Sequence, residues 1–204
     1  TVFILNGLAK RREVRERQEK LVMDAASTSN EAAKKALDEM WRRSWRNYLL
    51  KGRGLSAAHW EGAHFGNADL SNTELYLANL QNADARYVNF SGANLYKAQL
   101  EEMMIWKTEC SQNTTLPDGE TCEHDSDLLF YGATFEPPDI WYLSDHESIR
   151  IDAESIRQEK LRLYQGLHKH LVSGRVDQTW VKEKLLLTDE EFEDFQLQVE
   201  NEDA

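Results

Sequence analysis

The sequence predicts a mainly β solenoid with α-helical flanks, and three observations carry that prediction. First, ten consecutive five-residue steps keep one phase, with anchors Trp60, Phe65, Leu70, Leu75, Leu80, Ala85, Phe90, Leu95, Leu100 and Ile105, nine of them large and apolar. Second, the residues two before each anchor run Ala58, Ala63, Ala68, Thr73, Ala78, Ala83, Val88, Ala93, Ala98 and Met103, seven of them alanine. A period of five is neither helical nor that of a lone strand, so the chain has to wind. Third, apolar spacing on both sides of this block returns to three and four residues, which is helical.

The first element is the basic head, residues 1–53. Val2-Phe3-Ile4-Leu5 followed by Lys10-Arg11-Arg12 admits two readings: a frayed terminus, or the stub of a membrane helix with its basic cytoplasmic flank. The chain begins at Thr1 rather than methionine and reads as processed or trimmed. Residues 8–26 read as a charged helix, interrupted at Ser27 to Asn30. Thr28 followed by Glu31 predicts a capping box for a second helix. Along that helix Ala33, Leu37, Trp41, Trp45 and Tyr48 or Leu49 recur at helical spacing. Trp41 and Trp45 are too bulky to leave in water and are expected to cover the open end of the solenoid. Gly52 and Gly54 are expected to stop the helix.

The repeat block, residues 54–138, comes next. Its pentads run to about Cys110, pause over an insert at 111–128 that holds the turn signal Leu116-Pro117-Asp118-Gly119, and resume in Tyr131-Gly132-Ala133-Thr134-Phe135. Phe135 lies 25 positions after Cys110, so the phase of five is expected to survive the insert. Pro137-Pro138 ends the block, because neither proline can donate to a further ladder.

Residues 139–204 form an acidic helical region. Ile149, Ile156, Leu161, Leu163, Tyr164, Leu167 and Leu171 predict one helix across about 145–171, which Ser173-Gly174 breaks. Asp177 can cap a short helix through Leu186. Thr188 and Glu191 form a second capping box, with Phe192 and Phe195 on one face after it. The tail Glu200-Asn201-Glu202-Asp203-Ala204 is expected to be mobile.

The segments Gly62-Ala63-His64-Phe65, Asn67-Ala68-Asp69-Leu70, Ala78-Asn79-Leu80 and Ser91-Gly92-Ala93-Asn94-Leu95 resemble pentapeptide repeats of the A-(D/N)-L-x-x type. The resemblance covers about 55–110 and 128–136. It implies a right-handed quadrilateral β-helix of about three coils, one pentad per side and four per coil, capped by the N- and C-terminal helices. The large residue and the alanine two before it then point inward, and the residue between them outward. Residues twenty apart stack, which predicts the columns Phe65–Ala85–Ile105, Trp60–Leu80–Leu100, Leu70–Phe90–Cys110 and Leu55–Leu75–Leu95. Met103 would compensate for the small Ala85. The resemblance also extends to a loop in which a Cys–Cys pair flanks a Pro-Asp-Gly turn, making Cys110 and Cys122 a candidate disulfide. Two buried thiols are the competing reading, since Cys110 falls on a core column.

Net charge is −12 overall but uneven: +6 for residues 1–53, −10 for 54–138 and −8 for 139–204. Direct nucleic-acid binding is therefore not expected of the body. Phosphate-loop, H-E-x-x-H and G-x-S-x-G motifs are absent, so the chain reads as non-enzymatic, with no cofactor implied. Cys110, Cys122 and His124 lack an evident fourth metal ligand. Asn113-Thr114-Thr115 fits a glycosylation sequon but lacks a secretory signal. No stretch approaches the roughly 20 apolar residues of a membrane span.

The expected function is a protein–protein interaction scaffold. The resemblance adds a membrane-tethered subunit or assembly factor of a larger, photosynthetic-type membrane complex, in a thylakoid or another organellar or bacterial membrane. The basic residues 10–20 would face an anionic surface or another subunit. The alternative is an acidic DNA mimic that inhibits a topoisomerase. Against it, about three layers span roughly 15 Å, under half the roughly 34 Å of one duplex turn.

Overall fold

Five-residue sides are too short for extended strands, and the backbone instead forms single parallel bridges at a fixed spacing. In the computed structural model, which describes residues 2–45, 49–138, 140–142 and 148–202, Gly54 pairs with Glu74, His59 with Asn79, His64 with Asp84 and Asp69 with Asn89. The series continues to Asn89 with Glu109. Twenty residues per repeat at five per side make four sides to a turn. Helices nevertheless hold more of the chain than named strands do. The description "mainly β" is corrected accordingly: each side contributes one bridge and then bends.

The bends have a local cause. Ala58 N–H donates to Leu55 O at 3.1 Å and Ala63 N–H to Trp60 O at 2.9 Å. The residues just before those donors, Ala57 and Gly62, have φ of +58° and +61°, as a type II turn requires. The same conformation recurs every five residues as far as Lys107. Gly92 is the tightest corner: φ is +74°, and a Cβ there would lie 2.5 Å from Asn72 Oδ1. The outward Asp or Asn secures the next corner. Asp69, Asn79, Asp84, Asn89 and Asn94 each accept from the N–H two residues on, at 2.8–3.2 Å. The polar residue of the motif is thus a turn-former.

The anchors fill the interior. Trp60, Phe65, Leu70, Leu75, Leu80, Phe90, Leu95, Leu100 and Ile105 are all buried, and so are Ala85 and Met103. Fully burying one such aliphatic or aromatic side chain is worth about 1.5–3 kcal/mol.

The phase of five is regained at Phe135, as expected, but it slips inside the insert. Asn94 pairs with Thr115, one residue beyond the regular spacing. Met104 and Ile105 (β1, Met104–Ile105) pair with Thr134 and Phe135 (β2, Thr134–Phe135), thirty residues on. The slip is made at Ser111-Gln112-Asn113, where Thr114 N–H returns to Ser111 O and Thr114 Oγ1 donates to Phe90 O. Leu116 is buried in the next side, so the excursion begins near Asp118 rather than at residue 111. It carries a 3-10 helix, Asp125–Tyr131.

Helix α1 spans Val2–Ala25 and α2 Asn30–Arg42. The buried face of α2 is Ala33, Ala36, Leu37 and Met40. The link between the helices meets the first turn of the solenoid: Trp60 Nε1–H donates to Ala25 O at 2.7 Å and His59 N–H to Ser27 O at 3.0 Å. Trp41 does not cover this end. It is 45% exposed, because one residue past Met40 turns it about 100° off the buried face. Trp45 is half-buried beyond the helix. The small alanines let the helix lie close where an indole would hold it off. The Thr28–Glu31 box is also absent; Ser29 is the N-cap and makes no side-chain capping bond. Helix α2 ends at Arg42, well before Gly52, and Ser44 takes φ +54°. Tyr48 lies outside the described residues.

After the prolines, β3 (Ile140–Tyr142) and β4 (Ser148–Arg150) pair antiparallel. Ile149 therefore belongs to a strand, and residues 145–147 of the expected helix lie outside the described residues. Helix α3, Ala153–Val172, starts where Asp152 can cap it, accepting from Ser155 N–H at 2.7 Å. Helix α4, Gln178–Leu185, follows the Asp177 cap, and α5, Asp189–Glu202, follows reciprocal Thr188 and Glu191 bonds of 3.1 and 3.0 Å. Leu163, Tyr164, Leu167, Val181, Leu185, Phe192 and Phe195 form their shared core. The tail expected to be mobile is helical to Glu202; its last two residues lie outside the described residues.

Candidate functional site

With the interior filled, the solenoid meets other molecules only through its outer rows. One row is apolar. The corner after Leu75 carries Tyr76 and Leu77, and the corner after Leu95 carries Tyr96 and Lys97. The two tyrosine rings stack at 5.9 Å, and Lys97 Nζ lies 5.2 Å from the Tyr96 centroid. Leu77 is 48% exposed. This ridge was missing from the sequence reading. Its signal was the twenty-residue separation of Tyr76 and Tyr96, which places them in one column.

A second feature is the seam between the excursion and α3. Cys110 and Cys122 are joined, with Cα atoms 6.1 Å apart. Asp125 accepts from Cys110 N–H and pairs with Arg162, which also holds Glu159 at 2.7 Å. Glu159 in turn accepts from Lys107 N–H at 3.0 Å, tying α3 to the last solenoid turn. His124 caps the 3-10 helix, and its ring lies against Gly166 of α3. A Cβ on Gly166 would fall 2.1 Å from His124 Nδ1 and 2.4 Å from Ser126 Oγ. Gly166→Ala is therefore expected to cost about 1–3 kcal/mol by overpacking, read as a lower urea midpoint. Leu163→Met, which conserves volume, serves as the mild control.

Beside the seam opens a groove of about 630 Å³ lined by Asp118, Asp127, Phe130, Tyr131, His170 and Arg175, among others. Arg175 lies 4.9 Å over the Phe130 ring, and Trp180 stacks on Phe130 at 5.1 Å. Burial first, then a hydrogen bond to Asp118, pushes the Tyr131 hydroxyl well above its ordinary range. Burial also lowers the pKa of both His124 and His170, against the opposing pull of Asp127 on each. A depressed folded-state pKa means that both rings fold neutral. Their contribution is present above the ordinary histidine pKa of 6.5 and is lost as pH falls below it. Stability is expected to drop from pH 7 toward pH 5, and a His124→Gln/His170→Gln double variant should flatten that slope in urea titrations.

No catalytic pairing of nucleophile and base is formed by these groups. Among the described residues no group of three or more His, Cys, Asp or Glu side chains could hold a metal. Cys110 and Cys122 are tied to each other, and His124 Nδ1 lies 3.0 Å from Ser126 Oγ. Among the described residues no helix is long and apolar enough to cross a membrane.

The class that this geometry defines is a repeat solenoid with a packed interior and a displaying exterior. Residues 55–84 and 73–103 match the family model for pentapeptide repeats, with 8 copies. The repeat segment belongs to the pentapeptide-repeat family, whose fold is a right-handed β-helix and whose members are generally non-catalytic interaction modules. Among solved structures the chain is similar to the pentapeptide repeat protein Rfr23 of the cyanobacterium Cyanothece 51142, with 35% identity, TM-score 0.30, and coverage of 31% of this chain and 43% of that one. It is also similar to HetL, a pentapeptide repeat protein involved in heterocyst differentiation regulation in Nostoc, with 23% identity, TM-score 0.27, and coverage of 36% and 40%. A pentapeptide repeat protein of the Arabidopsis thaliana thylakoid lumen matches at 14% identity and TM-score 0.20, covering 56% of this chain and 79% of that one. The chain spans less than half the length of the first two. No curated protein matches it.

Proposed function

We propose that this chain is a non-enzymatic scaffold: a squared solenoid of about three coils, closed by helices at both ends, that docks protein partners in a larger membrane complex. The observation that carries the proposal is the apolar ridge Tyr76–Leu77–Tyr96 on a body whose anchors are all buried. A rigid face with exposed aromatics is what interfaces enrich. The further assignments are a tether through the exposed basic residues of 10–20 and a site at a thylakoid, other organellar or bacterial membrane. They rest on the charge of the head and on the family resemblance. The test is isolation of the native protein beside a Leu77→Glu/Tyr96→Glu variant. Wild type is expected to co-purify with defined subunits and the variant to lose them. A native protein that runs as a free, soluble monomer sinks the reading.

The topoisomerase alternative has less behind it. Asp84 is buried and doubly bonded to Arg86 at 2.8 Å, and Asp69 is paired with Lys51 at 3.2 Å. These carboxylates serve corners rather than a phosphate-like row. A supercoiling assay discriminates: inhibition at micromolar protein would reverse this ranking.

A further inference from the structure

The apolar ridge is braced by a small hairpin, Thr114 to Cys122. Its first strand is the next coil beyond Tyr96: Leu95 N–H donates to Thr115 O and Lys97 N–H to Pro117 O, both at 2.8 Å. The chain then folds back. Leu116 N–H donates to Glu120 O at 2.7 Å, Cys122 N–H to Thr114 O at 3.0 Å, and Thr115 pairs antiparallel with Thr121. The tip reaches the ridge. A Cβ on Gly119 would lie 3.5 Å from Tyr96 Cε2, so that corner rests against the ring that stacks on Tyr76. Asp118, beside it, bonds the Tyr131 side chain.

The return strand ends at the bridge. Two strands this short are marginal in water without a further hold, and Cys122, at the foot of the hairpin, is joined to Cys110. The two cysteines differ in access: Cys110 is half-buried and Cys122 fully buried. A thiolate from outside therefore meets Cys110 Sγ first. Attack there forms a mixed disulfide at Cys110 and expels Cys122 as a thiolate, which takes a proton. Cys122 Sγ lies 3.2 Å from His124 O, so the new thiol has an acceptor in place. A second thiol of the same reductant then attacks the mixed disulfide, and Cys110 leaves and takes a proton. Two electrons pass to the bridge, and the dithiol of the reductant becomes a disulfide.

We propose that the Cys110–Cys122 bridge is a redox control on the Tyr76–Leu77–Tyr96 ridge, operated by a dithiol reductant. Oxidised, it holds the hairpin tip against Tyr96 and keeps the stacked tyrosines in one arrangement. Reduced, it frees the return strand, and the ridge loses its brace while the coils beneath keep their own bridges. A pre-organised face binds more tightly than one that must be ordered on contact, so the oxidised chain is the docking form. This control rests on the ridge being the docking face.

The experiment titrates the full chain with dithiothreitol in buffer without denaturant. Alkylation and intact mass count the free thiols, and hydrogen exchange reads single amides. Both thiols are expected to be released with the far-ultraviolet circular dichroism unchanged. The Lys97 and Leu116 amides are then expected to exchange about tenfold faster. Those of Leu75 and Leu80, bonded to Asn94 O and Gln99 O within the coils, are expected to hold their rate, and reoxidation to restore the rest. A bridge that resists reduction in the folded chain overturns the proposal, as do Lys97 and Leu116 amides indifferent to its state. Collapse of the whole solenoid on reduction overturns it too, since the bridge is then a staple and not a control. Docking is read separately, with the subunits that the oxidised wild type retains and Leu77→Glu/Tyr96→Glu loses. A Cys110→Ser/Cys122→Ser chain is expected to retain those subunits about tenfold less well. Equal retention overturns the control and leaves the scaffold standing. If the ridge variant itself keeps its subunits, the docking face lies elsewhere and this proposal falls with it, whatever the exchange result.

Discussion

Replacing Trp60 with alanine is expected to lower unfolding stability by about 3–5 kcal/mol, the cost of emptying a large buried aromatic site. Trp60 is fully buried, its ring lies 4.9 Å from Phe65, and its Nε1–H reaches Ala25 O at 2.7 Å. The residue therefore does two things. It fills the first layer of the solenoid, and it bonds the end of α1 to that layer. A Trp60→Phe variant separates the two roles. It keeps much of the bulk and removes the donor, and is expected to cost about 1 kcal/mol for the lost bond. Urea titration followed by circular dichroism reads both. An unchanged midpoint for Trp60→Ala would show that the ring is not in the core.

The second large effect is expected from removing the Cys110–Cys122 bridge. It closes a loop of twelve residues, and the loop-entropy relation assigns about 3 kcal/mol to a link of that size. Its consequences reach beyond the loop. Cys110 N–H bonds Asp125, Asp125 pairs with Arg162 of α3, and Cys122 Sγ lies 3.2 Å from His124 O. Loosening the loop thus frees the wall on which α3 rests. A Cys110→Ala/Cys122→Ala chain should show the lower midpoint, as should wild type in reductant. It should also show faster amide exchange along the seam. Identical titrations with and without reductant would mean that the thiols remain free in solution, the alternative that the sequence leaves open.

The repeat was legible because its causes are local. A side of five residues needs an inward pair, an outward turn-former and two corner residues, and each requirement leaves a mark in the same five positions. Asp or Asn before the anchor is one such mark, now tied to the N–H it caps. The caps at Asp177 and Thr188 were legible for the same reason. Trp41 was misplaced because helical spacing reports that a face exists and not which face is buried. Met40 and Trp41 are neighbours in sequence, and only the solenoid end chooses between them. Ile149 reads as helical because it and Ile156 match helical spacing, while the β3–β4 pairing that competes for it joins residues six to ten apart.

Periodicity alone determined that the chain winds, which side chains enter the interior and where the corners fall, since each coil repeats interactions made within five residues. The tertiary structure decided which face of α2 is buried, where the register slips between Cys110 and Leu116, and that His124, Gly166 and Asp127 meet in one seam. Those outcomes rest on contacts between distant segments, where volume and close approach select among faces that look alike along the chain.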